Sequence, residues 1–350
     1  GPGITITLAG DTGYSPNHAP VKAKGVTRHG QFQTWADTTS RIARHVDGDL
    51  NFLNVETVVT TRNNLTRDRK GQRGPFNFRT HPNGMRHLVD IGFNVFSLAN
   101  NHSMDYGVEG LRDTLRHVAA LRRHGLKAAA GLGMNREEAG RPELLTAKGA
   151  RIAFSAIGIV TNNLGRHRAG ANRPGQIAYR FDDDFALSMD RLAKTSADYR
   201  VLSIHYGLEG RVRTDSRQIR DWRRKAALGK GIDLIVGHHA HVPRGVEIAG
   251  RSVIFYGLGN FLHHGTANMT RKGICKDHGL FAKVHLRRRT DGTLAARAIQ
   301  ILPVTQTHRR PELMSAAAGT RRIHALNYLG SRLGGDGGKA RGVRFSPSVD

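Results

Sequence analysis

The sequence predicts an α/β fold, and three observations lead to that prediction. Short apolar runs rich in β-branched residues recur along the chain, separated by stretches with helical periodicity. Hydrophobic residues make up 38% of the chain and there are 42 glycines, which suits buried strands joined by tight turns. A chain of 350 residues buries roughly three quarters of its unfolded surface, so it has enough length for a large core.

In the N-terminal half, predicted strands and helices alternate. The strands cover residues 4–8, 49–55, 93–98 and 128–130, with a short edge strand at 76–80, and the helices cover 33–46, 83–91 and 108–123. The segment 63–75 is polar and basic, and we expect it to be a surface loop.

The C-terminal half continues this alternation. Strands are predicted at 144–148 and 151–157 as a hairpin, then at 199–204, 234–236, 253–256, 280–287 and 293–303, and helices at 182–195, at 217–228 and within 311–333. The segment 161–175 is polar, basic and rich in glycine, so we expect a mobile loop near the functional site. Residues 334–350 are expected to form a weakly ordered tail.

The chain is strongly basic. Lysine and arginine number 54 against 28 acidic residues, a formal net charge of +26 that attracts anionic substrates and polyanions. The basic residues are spread along the chain and aromatic residues make up only 6%, which argues against platforms for base stacking. We therefore expect an anionic small molecule or polymer as the partner, and not nucleic acid.

The chain ends and the cysteine content bear on localisation. Cys275 is the single cysteine, so no intrachain disulfide forms, and no apolar run is long enough to span a bilayer. Gly1-Pro2 resembles the remnant of a cleaved purification tag. Localisation stays open between a cytoplasmic protein and an exported or membrane-anchored one whose leader was removed.

Polar residues able to bind a metal follow five of the predicted strands. They are Asp11, Glu56, Asn101 with His102, His205, and His239 with His241. In open α/β sheets, ligands bind at the carboxyl ends of the strands. Each acid alone is equally typical of a turn, but five such coincidences indicate a metal centre. The mixture of oxygen and nitrogen ligands favours one or two divalent ions such as Mn, Fe or Zn.

Three further histidines lie near these ligands in the sequence. His238 is able to replace His239 in register, although the pair His239 and His241 fits the pattern better. His263 and His264 are interpreted as solvated loop histidines.

The strand-end motifs resemble those of the capsule-synthesis CapA (PGA_cap) family, which is related to calcineurin-like metallophosphoesterases. The resemblance covers residues 4–262 and rests on Ala9-Gly10-Asp11, Asn54-Val55-Glu56-Thr57, Ser97-Leu98-Ala99-Asn100-Asn101-His102 with Asp105-Tyr106-Gly107, His205-Tyr206-Gly207-Leu208-Glu209, Gly237-His238-His239-Ala240-His241-Val242 and Phe255-Tyr256-Gly257-Leu258-Gly259-Asn260-Phe261. It implies a four-layer α/β/β/α sandwich with mixed sheets over residues 4–305, followed by a C-terminal helix and flexible tail at 306–350.

The same resemblance implies roles for individual residues. The metal ligands would be Asp11, Glu56, Asn101, His205, His239 and His241. His102 would be the general acid, oriented by Asp105, whose negative charge is expected to raise the pKa of the imidazole. Calcineurin-like enzymes usually carry a histidine at the position of Gly13, so one metal would lack a ligand. Tyr206 stands where Trp is more frequent in the family.

The function expected from these features is a metal-dependent hydrolase of the phosphoesterase type that acts on an anionic substrate. The alternative is a component of poly-γ-glutamate capsule synthesis that binds or transfers the polymer without hydrolysis. Candidate substrate contacts are Arg166, Arg168 and Arg173 in the expected mobile loop, together with Glu209 and Asn260. The sequence does not specify the substrate, the metal or the number of ions.

Overall fold

The structure is a computed structural model that describes residues 3–160 and 164–347. Its strands are β1 (Ile4–Gly13), β2 (Gly25–Arg28), β3 (Gln31–Thr34), β4 (Leu50–Val55), β5 (Val58–Val59), β6 (Arg79–Thr80), β7 (Val95–Ser97), β8 (Ala128–Ala130), β9 (Leu132–Gly133), β10 (Glu143–Ala147), β11 (Ala150–Ile157), β12 (Gly175–Gln176), β13 (Tyr199–His205), β14 (Leu234–His238), β15 (Val246–Ala249), β16 (Ser252–Phe255), β17 (Asn260–His263), β18 (Gly279–Arg288), β19 (Leu294–Thr305), β20 (Glu312–Leu313) and β21 (Ala340–Gly342).

The α-helices are α1 (Trp35–Thr39), α2 (Pro82–Asp90), α3 (Gly107–Ala120), α4 (Arg136–Ala139), α5 (Leu164–His167), α6 (Asp182–Lys194), α7 (Ser216–Arg220) and α8 (Ala316–Ser331). Three short 3₁₀ helices lie at Ala43–His45, Leu121–His124 and Met269–Arg271, and a π-helix at Asp221–Leu228 continues from α7. Within the described ranges, no helix combines the length and the apolar character needed to cross a membrane.

Both large sheets are mixed. In the first, the order is β20-β19-β18-β1-β4-β7-β8. Strands β1, β4, β7 and β8 are parallel, β18 is antiparallel to β1, and β19 is antiparallel to β18. The order in the second is β10-β11-β13-β14-β16-β15-β21, with β11, β13, β14 and β16 parallel. Strand β17 runs parallel to the end of β1, at Asp11–Gly13.

The two sheets pack face to face between two layers of helices. Phe52 of the first sheet and Phe154 of the second meet edge to face in the shared core, with ring centroids 5.8 Å apart. The next residue on β4, Leu53, points to the opposite face and packs with residues of α2 and α3. Leu202 of β13 likewise packs with residues of α6. Burial on both faces explains the continuous apolar runs, and the predicted four-layer α/β/β/α sandwich is confirmed.

The helix predicted at 33–46 is wrong as a single element. Residues His29 and Gly30 have φ angles of 48° and 74° and connect β2 and β3 in a hairpin. Helix α1 begins only after Thr34, whose hydroxyl accepts from the Asp37 amide while the Asp37 carboxylate accepts from the Thr34 amide. This capping box sets the start of the helix, and the strand before it belongs to the hairpin.

The C-terminal segment that was expected to be weakly ordered contributes to the second sheet. Strand β21 pairs with β15 in antiparallel orientation, and Phe345 is buried in the core shared by the two sheets. Tertiary packing therefore orders this glycine-rich stretch. Residues 348–350 of the predicted tail lie outside the described residues.

The predicted loop at 161–175 is folded over the part that the structure describes, whereas 161–163 lie outside it. Residues Leu164–His167 form α5, and β12 pairs with β9. His167 is buried beside Asp68, with 3.3 Å between Nε2 and a carboxylate oxygen. Two segments that were expected to be solvated, 63–75 and 161–175, thus pack against each other.

Candidate metal centre

Asp11 lies near the end of β1, between two strands that bring asparagines beside it. In the sheet register Asp11 is opposite Asn54 of β4 and Asn260 of β17. The Asn54 amide donates to Asp11 Oδ1 at 2.8 Å. The preceding residue must be glycine, because a Cβ on Gly10 would lie 1.9 Å from the carbonyl oxygen of Gly259. The backbone therefore holds a fully buried carboxylate at this strand end.

Glu56 follows β4 directly, and its amide donates to the carbonyl of Thr12 at 2.8 Å. Its carboxylate is fully buried, and neither oxygen has a hydrogen-bond partner among the described residues. Four imidazoles of the described residues surround it at 3.9 Å or less: that of His102, 3.9 Å away, and three from strand ends. The nearest nitrogen of His263 is 3.2 Å away, that of His205 is 3.4 Å away and that of His241 is 3.9 Å away. A buried carboxylate enclosed by imidazole nitrogens is the arrangement expected where a cation binds.

The second sheet contributes His205 from the end of β13. Its Nε2 lies 2.8 Å from Asn101 Oδ1 and 3.1 Å from His239 Nδ1, so three donor atoms converge on one point. Its other nitrogen lies 3.2 Å from the Asn54 amide nitrogen. Side chains from both sheets therefore meet at the carboxyl ends of the parallel strands, as the sequence predicts.

His239 and His241 follow β14 in a strained turn. Their φ angles are 91° and 58°, in the left-handed region that residues other than glycine rarely adopt. This conformation directs His241 Nδ1 to within 3.0 Å of Asp11 Oδ2 and 2.8 Å of Asn260 Oδ1. The turn thus places both imidazoles against the carboxylates of the first sheet.

The charges in this cluster are strongly coupled. Burial alone would lower the pKa of His241, but the carboxylates of Glu56 and Asp11 outweigh it and raise the pKa to about 10. For His239, burial and the neighbouring imidazoles of His205 and His241 hold the pKa well below its usual value. The two carboxylates thus favour a positive charge between them.

His238 lies behind the converging donor atoms, with its Nδ1 3.5 Å from Asp11 Oδ1, and belongs to neither candidate ligand group. Its ring is fully buried and stacks on Phe52, with centroids 5.5 Å apart. Neither of its ring nitrogens has a hydrogen-bond partner among the described residues, and burial lowers its pKa to about 4. Of the two registers considered from the sequence, the structure brings His239 and His241 to the cluster.

The donor atoms fit a divalent cation in two overlapping groups. In each group the donor atoms all lie within 4.8 Å of one another, and the groups are Glu56, His205 and His239, and Asp11, Glu56 and His241. Glu56 belongs to both. Because its oxygens have no hydrogen bonds and face the imidazoles, the residues present fit either one ion or two ions that share this carboxylate.

His102 lies beside the cluster and not within it. Its Nδ1 is 2.7 Å from Asp105 Oδ2, and its Nε2 faces Glu56 at 3.9 Å. Asp105 also accepts from the amide of Phe78 at 2.6 Å and forms a fully buried ion pair with Lys70. The imidazole is therefore fixed in orientation at Nδ1, where the Asp105 carboxylate and the Lys70 ammonium, 3.1 Å away, both approach.

The expected rise in the pKa of His102 is wrong. Asp105 acts in the expected direction, but burial is the larger effect and the ammonium of Lys70 adds to it, so the pKa is lowered. Neither the depth of the site nor the position of Lys70 is apparent from the local sequence.

A cleft of about 860 Å³ opens onto this imidazole and onto His241. Its walls come from several segments and include Pro16, Asn17, Arg28, His29, Lys70, Gln72, Phe76, Phe78, Asn101, His102, Glu209, Gly210, His241, His264, Gly265, Thr266, Ala267 and Met269. A volume of this size suits a small-molecule or oligomer site.

Residues 5–264 match the sequence model of a family described as bacterial capsule synthesis protein PGA_cap. The chain belongs to this family. Among its relatives, the PGA biosynthesis protein CapA of Bacillus subtilis (strain 168) is 31% identical over 252 residues, which cover 72% of this chain and 61% of the relative. A probable polyglutamine synthesis accessory protein of Mycobacterium tuberculosis is 30% identical over 223 residues, covering 61% of this chain and 55% of the relative.

The chain therefore spans little more than half the length of these relatives. Among solved structures, a putative 5′-nucleotidase from Staphylococcus aureus overlays with a TM-score of 0.47 at 14% identity, covering 94% of this chain and 59% of that one. At that level of similarity, the function of this PGA_cap member has to be argued from its site.

The three arginines predicted to contact substrate do not line the cleft. Arg166 forms an ion pair with Asp68 at 2.6 Å. Arg168 pairs with Asp183 and Asp184, and Arg173 donates to the carbonyl of Arg168. Their positive charges are directed to neighbouring acids and to the backbone, so the predicted anion contacts are not supported by this geometry.

Glu209 and Asn260 occupy two different settings. Glu209 is 61% exposed, lines the cleft and lies 3.8 Å from His239 Nε2, where a substrate could reach it. Asn260 is buried and holds His241 Nδ1 through its side-chain oxygen. The structure thus favours a positioning role for Asn260 over the predicted substrate contact.

His263 is the residue that the sequence interpretation missed, because it is not a solvated loop histidine. It ends β17, pairs in register with Gly13 and is fully buried against Glu56. The strand beside Gly13 thus supplies an imidazole next to Glu56. A side chain at Gly13 would press on the Glu56 carbonyl, since its Cβ would lie 3.2 Å away. Strand β17 ends in a histidine as β13 and β14 do, and that was the available signal.

His264 and Lys70 were also expected at the surface and are buried. His264 lies 3.2 Å from the side-chain oxygen of Gln33, and burial lowers its pKa to about 3. Lys70 lies in an irregular basic segment where nothing in the sequence distinguishes it from the neighbouring arginines. Its partner Asp105 is 35 residues away, so only the tertiary fold reveals the pair.

Proposed function

We propose that this chain is a metal-dependent hydrolase of the phosphoesterase type that acts on an anionic substrate. The observation that carries the proposal is Glu56, a buried carboxylate whose oxygens lack hydrogen bonds and face imidazoles from both sheets. Burying such a charge is costly unless a cation compensates it. A binding surface for a polymer has no need of this cluster.

The proposed ligands divide into two sets that share Glu56. Asn101, His205 and His239 would complete one set with Glu56. Asp11, His241 and His263 would complete the other with Glu56. We propose Mn, Fe or Zn, because the sets combine imidazole nitrogens with carboxylate and amide oxygens.

The bound ions would supply Lewis acidity and a lowered pKa for water. The residues of the chain would position the other participants. Asn54 and Asn260 hold Asp11 and His241 in place from behind. His102 Nε2 faces the cluster from the cleft and is the group placed to hold or move a proton at the leaving oxygen, while Asp105 fixes the opposite nitrogen.

The second candidate is a component of poly-γ-glutamate capsule synthesis that binds or transfers the polymer without hydrolysis. The names of the relatives support it, as they refer to capsule or polyglutamine synthesis. The net charge of +26 also suits an acidic polymer. The two candidates differ in whether the chain turns over its ligand.

The test is metal analysis of the purified protein together with a panel of substrates. The panel contains a phosphomonoester, a phosphodiester and a γ-linked glutamate oligomer, each assayed with added Mn or Zn. Glu56→Gln removes the shared charge, and Glu109→Gln is the matched control because its side chain is 67% exposed on α3. We expect Glu56→Gln to lower metal affinity by more than about a hundredfold, since losing an outer partner alone costs 10- to 100-fold.

Turnover of a panel member that depends on metal and on Glu56 would support the hydrolase. Salt-sensitive binding of the glutamate oligomer with no turnover of any member would favour the second candidate. A Glu56→Gln protein that retains wild-type metal content would contradict the proposed ligand set.

A further inference from the structure

Arg28 places a fixed guanidinium on the wall of the cleft. It ends β2, immediately before the hairpin turn, and its Nη1 donates to the carbonyls of His264 at 2.9 Å and His308 at 3.0 Å. The amide of His264 is itself tied to the Gly13 carbonyl at 3.0 Å. One nitrogen makes both bonds, and among the described residues the N–H groups on Nε and Nη2 have no hydrogen-bond partner, so they remain to bind a ligand.

No acid neutralises this guanidinium within the part of the chain that the structure describes. The pKa of Arg28 is lowered by burial and by the positive charge of Arg309, and no carboxylate acts against them. Lys70, on the same cleft wall, differs in this respect because it pairs with Asp105. Arg28 therefore carries a positive charge that no described acid compensates, and its hydrogen bonds to two carbonyls fix its position.

The backbone places this charge next to the metal cluster. His263 contacts Glu56, and the carbonyl of the following residue, His264, accepts from Arg28. Arg28, His102 and His241 line one cleft. A molecule that reacts at the cluster thus has Arg28 within the same cavity.

We propose that Arg28 forms an anion subsite for a second oxyanion of the substrate, a carboxylate or phosphate other than the group that reacts. The inference rests on the proposed function and adds a substrate class: molecules with at least two anionic groups. A guanidinium fork binds such oxyanions bidentately. Because two carbonyls already hold Arg28, little side-chain freedom is lost on binding.

The experiment measures binding, with and without Mn, so that it does not depend on turnover. The probes are a γ-linked glutamate tetramer, its methyl ester in which the side carboxylates are neutral, and tripolyphosphate. The variants are Arg28→Gln and Arg28→Lys, with Arg297→Gln as the control, an exposed arginine on β19 outside the cleft. Isothermal titration calorimetry gives each affinity, and the tetramer and tripolyphosphate distinguish a carboxylate from a phosphate source.

We expect wild-type protein to bind one of the two anions, and Arg28→Gln to weaken that binding by about tenfold to a hundredfold, as for a charge-assisted hydrogen bond. Arg28→Lys should restore part of the loss, because it returns the charge without the fork. If wild-type protein binds the tetramer more tightly than its methyl ester, this preference should disappear in Arg28→Gln.

Three results would overturn the subsite: no binding of either anion by wild-type protein at millimolar concentration, an equal loss for tetramer and ester, or the same loss in Arg297→Gln. Loss of anion binding in Arg28→Gln without turnover of any substrate by wild type would leave the subsite standing and remove the hydrolase. Turnover by the wild type, together with unchanged anion binding in Arg28→Gln, would support the hydrolase and remove the subsite.

Discussion

Two regions of the molecule face the same cleft and are built in different ways. The strand-end cluster consists of Asp11, Glu56, Asn101, His205, His239, His241 and His263, which lie at or just after the ends of buried strands. The cleft wall consists of Arg28, His29, Lys70, Phe76 and Phe78, which lie on a hairpin end and in irregular segments. The backbone of two sheets holds the cluster, whereas contacts between side chains distant in sequence hold the wall.

This difference separates the residues that determine metal binding from those that determine substrate binding and local stability. Pairing between parallel strands sets where Asp11 and Glu56 stand relative to each other, so their geometry follows from the fold. The wall depends on single pairs such as Lys70 with Asp105, which substitution can remove while the sheets persist. We therefore expect the cluster to control metal binding and the wall to control the substrate and the local stability.

The largest expected effect is on turnover, and it distinguishes His239 in the cluster from His102, which lies where the cluster meets the cleft wall. His102→Ala should keep its metal and lose turnover by about a hundredfold to ten-thousandfold, the usual cost of removing a general acid. His239→Ala should lose both metal and turnover, because its nitrogen lies with His205 inside the cluster. Metal content and kinetics are measured on both proteins. If His102→Ala also loses its metal, His102 is a ligand. If His102→Ala turns over substrate at the wild-type rate, the mechanism is refuted.

A smaller effect, on stability, is expected from Lys70→Met. Its ammonium pairs with Asp105 in a site where the two side chains are 1% and 0% exposed, so the variant leaves a buried carboxylate without its cation. The free energy of unfolding should fall by about 3 kcal/mol. Urea denaturation measures it, with the exposed Lys272→Met as control, for which we expect a change within about 0.5 kcal/mol. Equal stability of the two variants would show that the wall does not depend on this pair.

The smallest expected effect distinguishes two adjacent histidines. His263→Ala should weaken metal binding by about tenfold to a hundredfold, because its nitrogen lies 3.2 Å from the shared carboxylate. His264→Ala should retain the wild-type affinity, since its ring faces Gln33 and not the cluster. Titration with Mn or Zn compares the two proteins. The assignment of His263 to the cluster fails if both variants bind metal equally well.

Much of the fold and of the cluster could be predicted from the sequence. Apolar runs that end in acids and histidines predicted the parallel strands, because parallel strands buried on both faces have that pattern. The helix predicted at 33–46 was wrong because helical periodicity does not show where the hairpin turn at His29 and Gly30 and the capping box at Thr34 intervene. The tail at 334–350 was misjudged because β21 is ordered only by its pairing with β15.

Local sequence pattern was enough to predict an α/β fold, and the resemblance to the PGA_cap family added the four-layer sandwich. The six predicted strand-end residues converge because the carboxyl ends of parallel strands meet at one edge of a sheet. Four other features depend on tertiary contacts. His263 lies beside Gly13 on the neighbouring strand, and Lys70 is buried against Asp105. Arg168 pairs with Asp184, and Arg28 lines the cleft without an acid partner among the described residues. Local sequence pattern does not predict these features, because each of them depends on a partner far away in the chain. A charged side chain in a basic segment takes its role from the partner that the fold brings to it.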